Sequence, residues 1–352
     1  MEIMERSVWE ALKEEPLPIV LYGTGNGAEK IIKKLKEYNI PLAAVFSSDG
    51  FSKNKLFCGY KVESLSEIQK RLERFVMLLG FAAGNEELIS YVKEMGKRAE
   101  KFLVPEVPVF GEDVFTRELY NEKKAEIEAL SRMLADEQSK RVLKNLLEYK
   151  LSGKPEYLYE IETERKEIFE NIFALSRDET FLDLGAFCGD TVEEFLENSG
   201  GKYKKIIALE PAPKNFERLN LFREERKLQN IELINAAVAE KEGQAFFSEK
   251  GGRNPFLLDE GKYPVKIITV DSLKIAPSFI KIDVEGKEKE TLLGSVDTIK
   301  TYAPKIAMSL YHKNLDFLEL PKLLKSIEPR YRLYLRHHPY LPAWETNLYA
   351  QV

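Results

Sequence analysis

The chain has 352 residues, of which 44% are hydrophobic and 32% are charged. This length predicts about two domains with sizeable cores, and the composition excludes extensive disorder and fibrous structure. The 53 basic and 58 acidic side chains give a net charge of −5. We expect no nucleic-acid partner, because phosphate backbones attract proteins with a basic field.

The cysteines and the N-terminal residues indicate a reducing compartment. Cys58 and Cys188 are far apart in the sequence, a spacing that favours neither a disulfide framework nor a zinc site. The first residues carry acids and lack an apolar run of signal-peptide length. No segment reaches the roughly 18 apolar residues of a membrane span. We therefore expect a cytoplasmic protein without a membrane span.

The first predicted region, residues 1–110, is an α/β domain of the Rossmann type. Strands are predicted at 18–22, 42–46 and 75–79, with an amphipathic helix after the first strand and another helix around Leu88 to Met95. Strands that alternate with helices pair in parallel through crossover connections. A glycine-rich turn from Gly23 to Ala28 follows the first strand.

This first glycine turn has only part of the pattern of a dinucleotide site. Such sites need an acid at the end of the next strand, about 20 residues on, for the ribose hydroxyls. Here the strand end holds Phe46 or Ser47, and Asp49 lies further along the loop. A Rossmann-like scaffold is the preferred interpretation, and an NAD(P)-dependent oxidoreductase that uses this loop is an alternative.

A helical connector is predicted at residues 111–177, where apolar residues recur every three or four positions. Gly153 and Pro155 mark a helix stop within it. The third region, residues 178–352, is again α/β, with an inserted hairpin around Gly251 and Gly252 and the turn at 260–262. Its strands are predicted at 180–184, 205–209, 231–235, 279–283 and 305–310, followed by a terminal antiparallel pair at 331–336 and 346–350.

A second glycine loop follows the strand 180–184 and reads Asp-Leu-Gly-Ala-Phe-Cys-Gly-Asp-Thr from Asp183 to Thr191. Such a loop lets backbone N–H groups approach a ligand at a helix N-terminus. The next strand ends in Glu210, 25 residues after Gly185, where a carboxylate can accept hydrogen bonds from two ribose hydroxyls. Thr191 and Glu194 have the spacing of a capping box.

The charge around this loop favours one kind of cofactor. Asp183, Asp190 and Glu210 make the site acidic, and the loop contains no Lys or Arg. A pyrophosphate would meet negative neighbours there. S-adenosylmethionine carries a sulfonium and an ammonium against one carboxylate, so it suits an acidic site better.

Two more acids follow the strand 279–283, since Asp283 ends it and Glu285 comes two residues later. Ligands of open α/β sheets bind outside the carboxyl ends of the strands. Asp283 is therefore expected in the same crevice as Gly185 and Glu210. Glu285 is either a second site residue or part of the cap of the next helix.

Five segments within residues 178–352 together carry a family resemblance. They are Leu-Asp-Leu-Gly-Ala-Phe-Cys-Gly-Asp-Thr ending at Thr191, Leu-Glu-Pro ending at Pro211, Asn-Ala-Ala-Val ending at Val238, Ile-Lys-Ile-Asp-Val-Glu-Gly ending at Gly286, and Glu-Thr-Asn-Leu-Tyr-Ala ending at Ala350. This region resembles the FkbM family of S-adenosylmethionine-dependent methyltransferases. The resemblance implies a class I methyltransferase sheet of seven strands, the last antiparallel. It also implies O-methylation of a small-molecule or carbohydrate acceptor, on a sugar, polysaccharide or natural-product hydroxyl.

The resemblance also implies where the cofactor binds, with Glu210 on the ribose and Asn235 and Ala236 beside the adenine. With Asp190, Asp283 and Glu285 added from the charge of the loop and the strand ends, the predicted cofactor-binding residues are Asp183, Gly185, Gly189, Asp190, Glu210, Asn235, Ala236, Asp283 and Glu285. The first region instead resembles the small Rossmann-like domains found in front of some sugar-modifying enzymes. A non-catalytic protein that senses S-adenosylmethionine or uses it for interaction is a further alternative.

A hydroxyl that accepts a methyl group must lose its proton as it attacks. His312, His337 and His338 all lie at predicted strand ends near the C-terminus, and a neutral imidazole can take a proton near neutral pH. His312 is the first candidate for the base and Asp283 is its rival. A third possibility is a divalent cation bound by Asp283 and Glu285, but two acids are too few to infer a metal.

Aromatic residues are frequent in the same C-terminal stretch. Flat rings with polar tips suit a carbohydrate-binding face, and they suit a layer that covers the sheet equally well. The residues concerned are Tyr311, Tyr331, Tyr334, Tyr340, Trp344 and Tyr349.

Overall fold

The computed structural model describes residues 2–48, 55–247, 257–258 and 263–352. Asp49, Gly251, Gly252 and the turn predicted at 260–262 lie outside these described residues. Two units alternate along the chain. The first unit comprises Met1–Arg132, Asp136–Thr163 and Leu335–Thr346, and the second comprises Met133–Ala135, Glu164–Tyr334 and Asn347–Val352. The predicted domain boundaries at residues 110 and 177 stay predictions.

The first unit is built on a sheet of six strands. These strands are β1 (Ile19–Tyr22), β2 (Ala44–Phe46), β3 (Leu56–Phe57), β4 (Tyr60–Glu63), β5 (Val76–Leu79) and β6 (Lys101–Leu103). Their order is β3-β4-β2-β1-β5-β6, and the pairs are parallel except for β3 with β4. Every residue of β1, β2 and β5 is buried, as expected for parallel strands covered on both faces.

The helices before residue 164 belong largely to the first unit. In chain order they are α1 (Val8–Lys13), α2 (Asn26–Glu37), α3 (Leu65–Gln69), α4 (Glu86–Gly96), α5 (Arg117–Met133), α6 (Glu137–Ser152) and α7 (Glu156–Tyr159). The predicted amphipathic helix is α2, which buries Ile31, Ile32 and Leu35 in the core of the unit. The predicted stop at Gly153 is confirmed, because Gly153 ends α6 with a φ of +66° that glycine adopts without steric cost.

Most residues of the sheet of seven strands expected of a class I methyltransferase belong to the second unit, whereas residues 335–337 and Thr346 belong to the first. The strands of this sheet are β7 (Thr180–Leu184), β8 (Lys205–Leu209), β9 (Ile231–Ile234), β14 (Phe279–Ile282), β15 (Lys305–Ser309), β16 (Arg332–His337) and β17 (Thr346–Gln351). They lie in the order β16-β17-β15-β14-β7-β8-β9. Strands β7, β8, β9, β14 and β15 pair in parallel. The last strand, β17, is antiparallel to β15, which confirms the predicted topology.

A smaller sheet occupies the predicted hairpin segment. It contains β10 (Ala237–Val238), β11 (Gly243–Phe247), β12 (Leu257–Leu258) and β13 (Tyr263–Ile268), in the order β10-β13-β11-β12. The antiparallel pair expected in this segment is β11 with β13. The remaining helices are α8 (Arg165–Glu167), α9 (Asp190–Asn198), α10 (Pro213–Glu225), α11 (Glu288–Leu293), α12 (Val296–Tyr302) and α13 (Asp316–Ile327), with a π-helix at Ile168–Ile172 and a 3₁₀ helix at Asp271–Leu273.

Aromatic residues close to the C-terminus pack against the seven-stranded sheet. Tyr334 and Tyr349 are buried in the apolar core that also contains Phe173. Tyr331 is fully buried, and its hydroxyl donates a hydrogen bond to the Pro304 carbonyl. These three rings therefore form part of the covering layer rather than a carbohydrate-binding face. No helix within the described ranges is long and apolar enough to cross a membrane.

Two of the three histidines belong to the first unit and have buried partners within it. His337 Nδ1 lies 3.0 Å from the Thr346 hydroxyl oxygen, and His338 Nδ1 donates to the Thr163 carbonyl at 2.7 Å. Burial lowers the pKa of His337 to about 3. The sequence placed both residues at strand ends near the predicted site, together with His312. In the structure each of them instead lies within hydrogen-bonding distance of a threonine.

The buried imidazole of His337 predicts a loss of stability in acid. Its pKa is about 3 in the folded chain and about 6.5 when unfolded, so only the unfolded chain binds the proton between these values. The free energy of unfolding should fall by about 1.4 kcal/mol per pH unit below pH 6.5, or about 2 kcal/mol between pH 7.5 and 5. Urea denaturation at both pH values measures this fall. In His337→Gln the free energy of unfolding should fall by about 2 kcal/mol less than in the wild type. Equal losses in the two proteins would contradict this assignment.

Candidate functional site

The carboxyl ends of four neighbouring strands, β8, β7, β14 and β15, bring the predicted site residues of the second unit together. Asp183 lies at the end of β7, Glu210 follows β8, and Asp283 follows β14. His312 comes three residues after β15. Because these strands pair in parallel, their ends lie along one edge of the sheet.

The glycine loop after β7 depends on two glycines. Gly185 has a φ of +89°, and a Cβ atom there would lie 1.9 Å from the carbonyl oxygen of Asp283. Gly189 has a φ of +98°, and its Cβ would lie 2.5 Å from the ring of Phe222. Side chains at these positions would be strained and would push neighbouring elements apart. The close approach at Gly185 places Asp283 directly against the loop.

The carboxylate of Asp183 lies fully buried beneath this loop. Its Oδ2 accepts a hydrogen bond from the Thr191 hydroxyl, and its Oδ1 lies 3.7 Å from Lys281 Nζ. Burial raises the pKa of Asp183, although Lys281 and Thr191 oppose the shift. The predicted capping box is wrong: Gly189 is the N-cap of α9, and Thr191 lies inside the helix. The hydroxyl of Thr191 instead satisfies a buried carboxylate.

Lys281 is a site residue that the sequence analysis missed. Its ammonium lies 3.7 Å from both Asp183 Oδ1 and Asp283 Oδ2, and it donates to the Gly185 carbonyl at 3.0 Å. The loop itself contains no cation, as noted from the sequence, but the neighbouring strand supplies one. The available signal was a single charged residue within the apolar strand 279–282.

Glu210 is bonded to the glycine loop and to the turn that follows its own strand. Its side chain is buried, with Oε2 accepting from the Phe187 N–H at 3.0 Å and Oε1 from the Ala212 N–H at 2.9 Å. Burial raises the pKa of Glu210, although these donors oppose the shift. The amide of Asn235 donates to the Glu210 carbonyl at 2.7 Å. Ala236 is buried beside it, and Asp190 is exposed in the first turn of α9.

The second group of site residues is a histidine surrounded by carboxylates. His312 is 1% exposed, and its Nδ1 lies 2.9 Å from Oε1 of Glu288, which is equally buried. Its Nε2 lies 3.5 Å from both Asp283 Oδ1 and Glu285 Oε2. The sequence analysis named His312, Asp283 and Glu285 but missed Glu288. The spacing of acids at 283, 285 and 288 was the available signal.

Charges decide how this group titrates. Burial alone would lower the pKa of His312, but the carboxylates of Glu288, Glu285 and Asp283 raise it well above its ordinary value. Burial would also raise the pKa of Asp283, but Lys281 and His312 hold it below its ordinary value. These carboxylates favour the protonated form of the imidazole. The role of His312 as a base therefore stays a prediction.

Comparison with known proteins decides the family of this site. Residues 183–340 match the family model described as the methyltransferase FkbM domain. This segment belongs to the FkbM methyltransferases. A crystal structure of methyltransferase FkbM from Methylobacillus flagellatus KT is similar with a TM-score of 0.73 and 22% identity, over 97% of this chain and 92% of that chain. At this identity the likeness shows a shared fold, and it extends well beyond the FkbM domain.

Two further solved structures are similar over about half of this chain. An rRNA methylase from Streptococcus thermophilus is 14% identical over 50% of this chain and 88% of its own, with a TM-score of 0.35. Aeropyrum pernix fibrillarin, in complex with S-adenosyl-L-methionine, is 14% identical over 53% of this chain and 73% of its own, also with a TM-score of 0.35. No curated protein matches the chain significantly.

The FkbM domain should depend on Lys281 for stability. Lys281→Met leaves the buried Asp183 carboxylate without its neighbouring cation, so the free energy of unfolding should fall by about 3 kcal/mol. The double variant Asp183→Asn/Lys281→Met should lose less than the sum of the single variants, because the pair is then removed together. Urea denaturation followed by circular dichroism measures each value.

Lys289 provides the matched control for this experiment. It lies in the same domain and pairs with Glu319 at 3.5 Å, but its side chain is 56% exposed. Lys289→Met should change the free energy of unfolding by less than about 1 kcal/mol. Equal losses in Lys281→Met and Lys289→Met would contradict a stabilising role for the buried pair.

Proposed function

We propose that the FkbM domain transfers a methyl group from S-adenosylmethionine to a hydroxyl oxygen of a sugar, polysaccharide or natural-product acceptor. One observation carries the proposal. The Glu210 carboxylate lies at the end of β8 and is bonded to the glycine loop through the Phe187 N–H. A carboxylate in that place can accept hydrogen bonds from the two ribose hydroxyls of the cofactor.

The chemistry of the loop residues fits this cofactor. Each oxygen of Glu210 accepts one backbone N–H, and an ionised carboxylate has about four acceptor positions, so capacity remains for ribose. Asp183, Asp190 and Glu210 outnumber Lys281 at the loop. This excess of negative charge suits the sulfonium and the ammonium of S-adenosylmethionine.

We assign the adenine to the turn after β9. The Asn235 side chain is held by its hydrogen bonds to the carbonyls of Glu210 at 2.7 Å and Pro211 at 3.1 Å. This arrangement joins the adenine side of the proposed site to the ribose-binding carboxylate. Ala236 is buried next to it and offers an apolar contact for the base.

S-adenosylmethionine supplies a methyl group on a positively charged sulfur, and the electron pair of the broken C–S bond stays with that sulfur. The protein must hold the acceptor oxygen in line with that bond and provide for loss of the hydroxyl proton. Asp283 contacts the loop at Gly185, and its side chain is 29% exposed. We assign it to the acceptor hydroxyl, with His312 beside it at 3.5 Å.

Binding of the demethylated product, S-adenosylhomocysteine, tests the assignment of Glu210. Glu210→Ala should weaken binding by about 1–3 kcal/mol, the scale of a hydrogen bond to a charged group. Glu232→Ala is the matched control, because Glu232 lies on the adjacent strand β9 with a side chain that is 52% exposed and pairs with Lys205. Titration calorimetry that shows equal affinity for the Glu210 variant and the wild type would contradict the cofactor site.

The acceptor class is tested with S-adenosylmethionine labelled in its methyl group. Incubation with sugar nucleotides, polysaccharides and hydroxylated natural products should transfer the label to at least one acceptor. The product should survive mild alkali, because methyl ethers resist base whereas methyl esters are hydrolysed. Mass spectrometry and NMR locate the methyl group. A label found on a carboxylate or a nitrogen would contradict O-methylation.

A further inference from the structure

His312 forms a cluster with Asp283 and Glu288. Methyl transfer does not by itself require such a cluster. One ligand atom each from Asp283, Glu288 and His312 lies within 4.8 Å of the other two. Donor atoms that share one cation at about 2.0–2.4 Å cannot lie more than about 4–4.8 Å apart. The three side chains therefore satisfy the spacing of a metal site, and two of them are 1% exposed.

Acidic side chains are concentrated around this group, and the cations of Lys281, Arg165 and Lys313 interact with them. Three carboxylates, those of Asp283, Glu285 and Glu288, surround one imidazole, which carries at most one positive charge. Lys281 reaches the outer side of Asp283 at 3.7 Å. The buried carboxyl of Asp316 also interacts with Glu288 and His312. Glu288 and Asp316 are the buried carboxyls of this group, and a buried negative charge is costly unless a cation compensates it.

The backbone holds Glu288 in a fixed orientation. Its Oε1 accepts hydrogen bonds from the Val284 N–H at 3.1 Å and the Gly286 N–H at 3.2 Å. Residues that orient metal ligands in this way are typical of protein metal sites. Glu285, with a side chain 49% exposed and Oε2 at 3.5 Å from His312 Nε2, lies on the open side.

We propose that Asp283, Glu288 and His312 bind one divalent cation, with Glu285 available as a further ligand from the solvent side. Two or three carboxylates with one imidazole suit Mn²⁺, Fe²⁺ or Zn²⁺. The sequence offered only Asp283 and Glu285 for a cation. The structure adds a buried imidazole and a buried, oriented carboxylate.

The role of the cation rests on the proposed function. It would bind the acceptor oxygen next to the cofactor loop and favour the alkoxide form. The O–H bond then breaks with its proton passing to solvent, the oxygen forms a bond to the methyl carbon, and the C–S electron pair stays on sulfur. Charge and atoms balance without a redox step.

Mn²⁺ alone, titrated into the full chain after removal of metals with a chelator, tests this site. Electron paramagnetic resonance measures free Mn²⁺, and we expect one ion bound per chain. Asp283→Asn, Glu288→Gln and His312→Ala should each weaken binding at least about 10-fold. Glu290→Gln is the matched control, because Glu290 lies on the same helix α11 and pairs with Lys287. It should bind Mn²⁺ as the wild type does.

Glu285→Gln keeps the test informative if a buried variant fails to fold, since this exposed side chain can change without disturbing the core. It should weaken Mn²⁺ binding several-fold. Absence of Mn²⁺ binding in the wild type, or equal binding in Asp283→Asn, Glu285→Gln and the wild type, would overturn the proposal.

Calorimetry with S-adenosylhomocysteine on the same metal-free protein separates the two proposals. Product binding without any Mn²⁺ binding rejects the metal site and leaves methyl transfer standing. Mn²⁺ binding that the variants weaken, in a protein that does not bind the product, supports the metal site and rejects the cofactor site.

Discussion

The backbone contact between Gly185 and Asp283 is the constraint on which the site depends. A Cβ atom at position 185 would lie 1.9 Å from the Asp283 carbonyl oxygen. Only glycine therefore lets the end of β7 approach the end of β14 this closely. The contact puts the glycine loop on one side and the carboxylate cluster on the other. Because these two groups meet, the proposed cofactor site and the proposed acceptor site are adjacent.

Lys281 connects the same two groups electrostatically. Its ammonium interacts with the carboxylates of Asp183 and Asp283 and donates to the carbonyl of Gly185. One cation thus reduces the cost of burying acids in neighbouring strands. It also leaves the crevice with a net negative charge, which the proposed cofactor and the proposed metal ion would each reduce.

Local sequence patterns predicted much of this arrangement. The strands around β7, β8, β14 and β15 were visible as apolar runs, and the rule that ligands bind at the carboxyl ends of strands placed Glu210 and Asp283 at one edge. What the patterns could not provide was pairing between side chains far apart in sequence. Glu288 matters because of His312, 24 residues later, and Thr191 turns to Asp183 because that carboxylate is buried. The capping box predicted from Thr191 and Glu194 was wrong because the Thr191 hydroxyl bonds to Asp183 instead.

The order of the last strands has a consequence for folding. Strand β17 comes last in the sequence, yet it lies between β15 and β16 in the sheet. Strand β16 is made first, but its one neighbouring strand in the described sheet is β17, which in turn pairs with β15. Strand β16 therefore joins the rest of the sheet only through a strand that is made after it. Such non-local pairing is a slow step in folding, because the chain must close a loop before the contacts form.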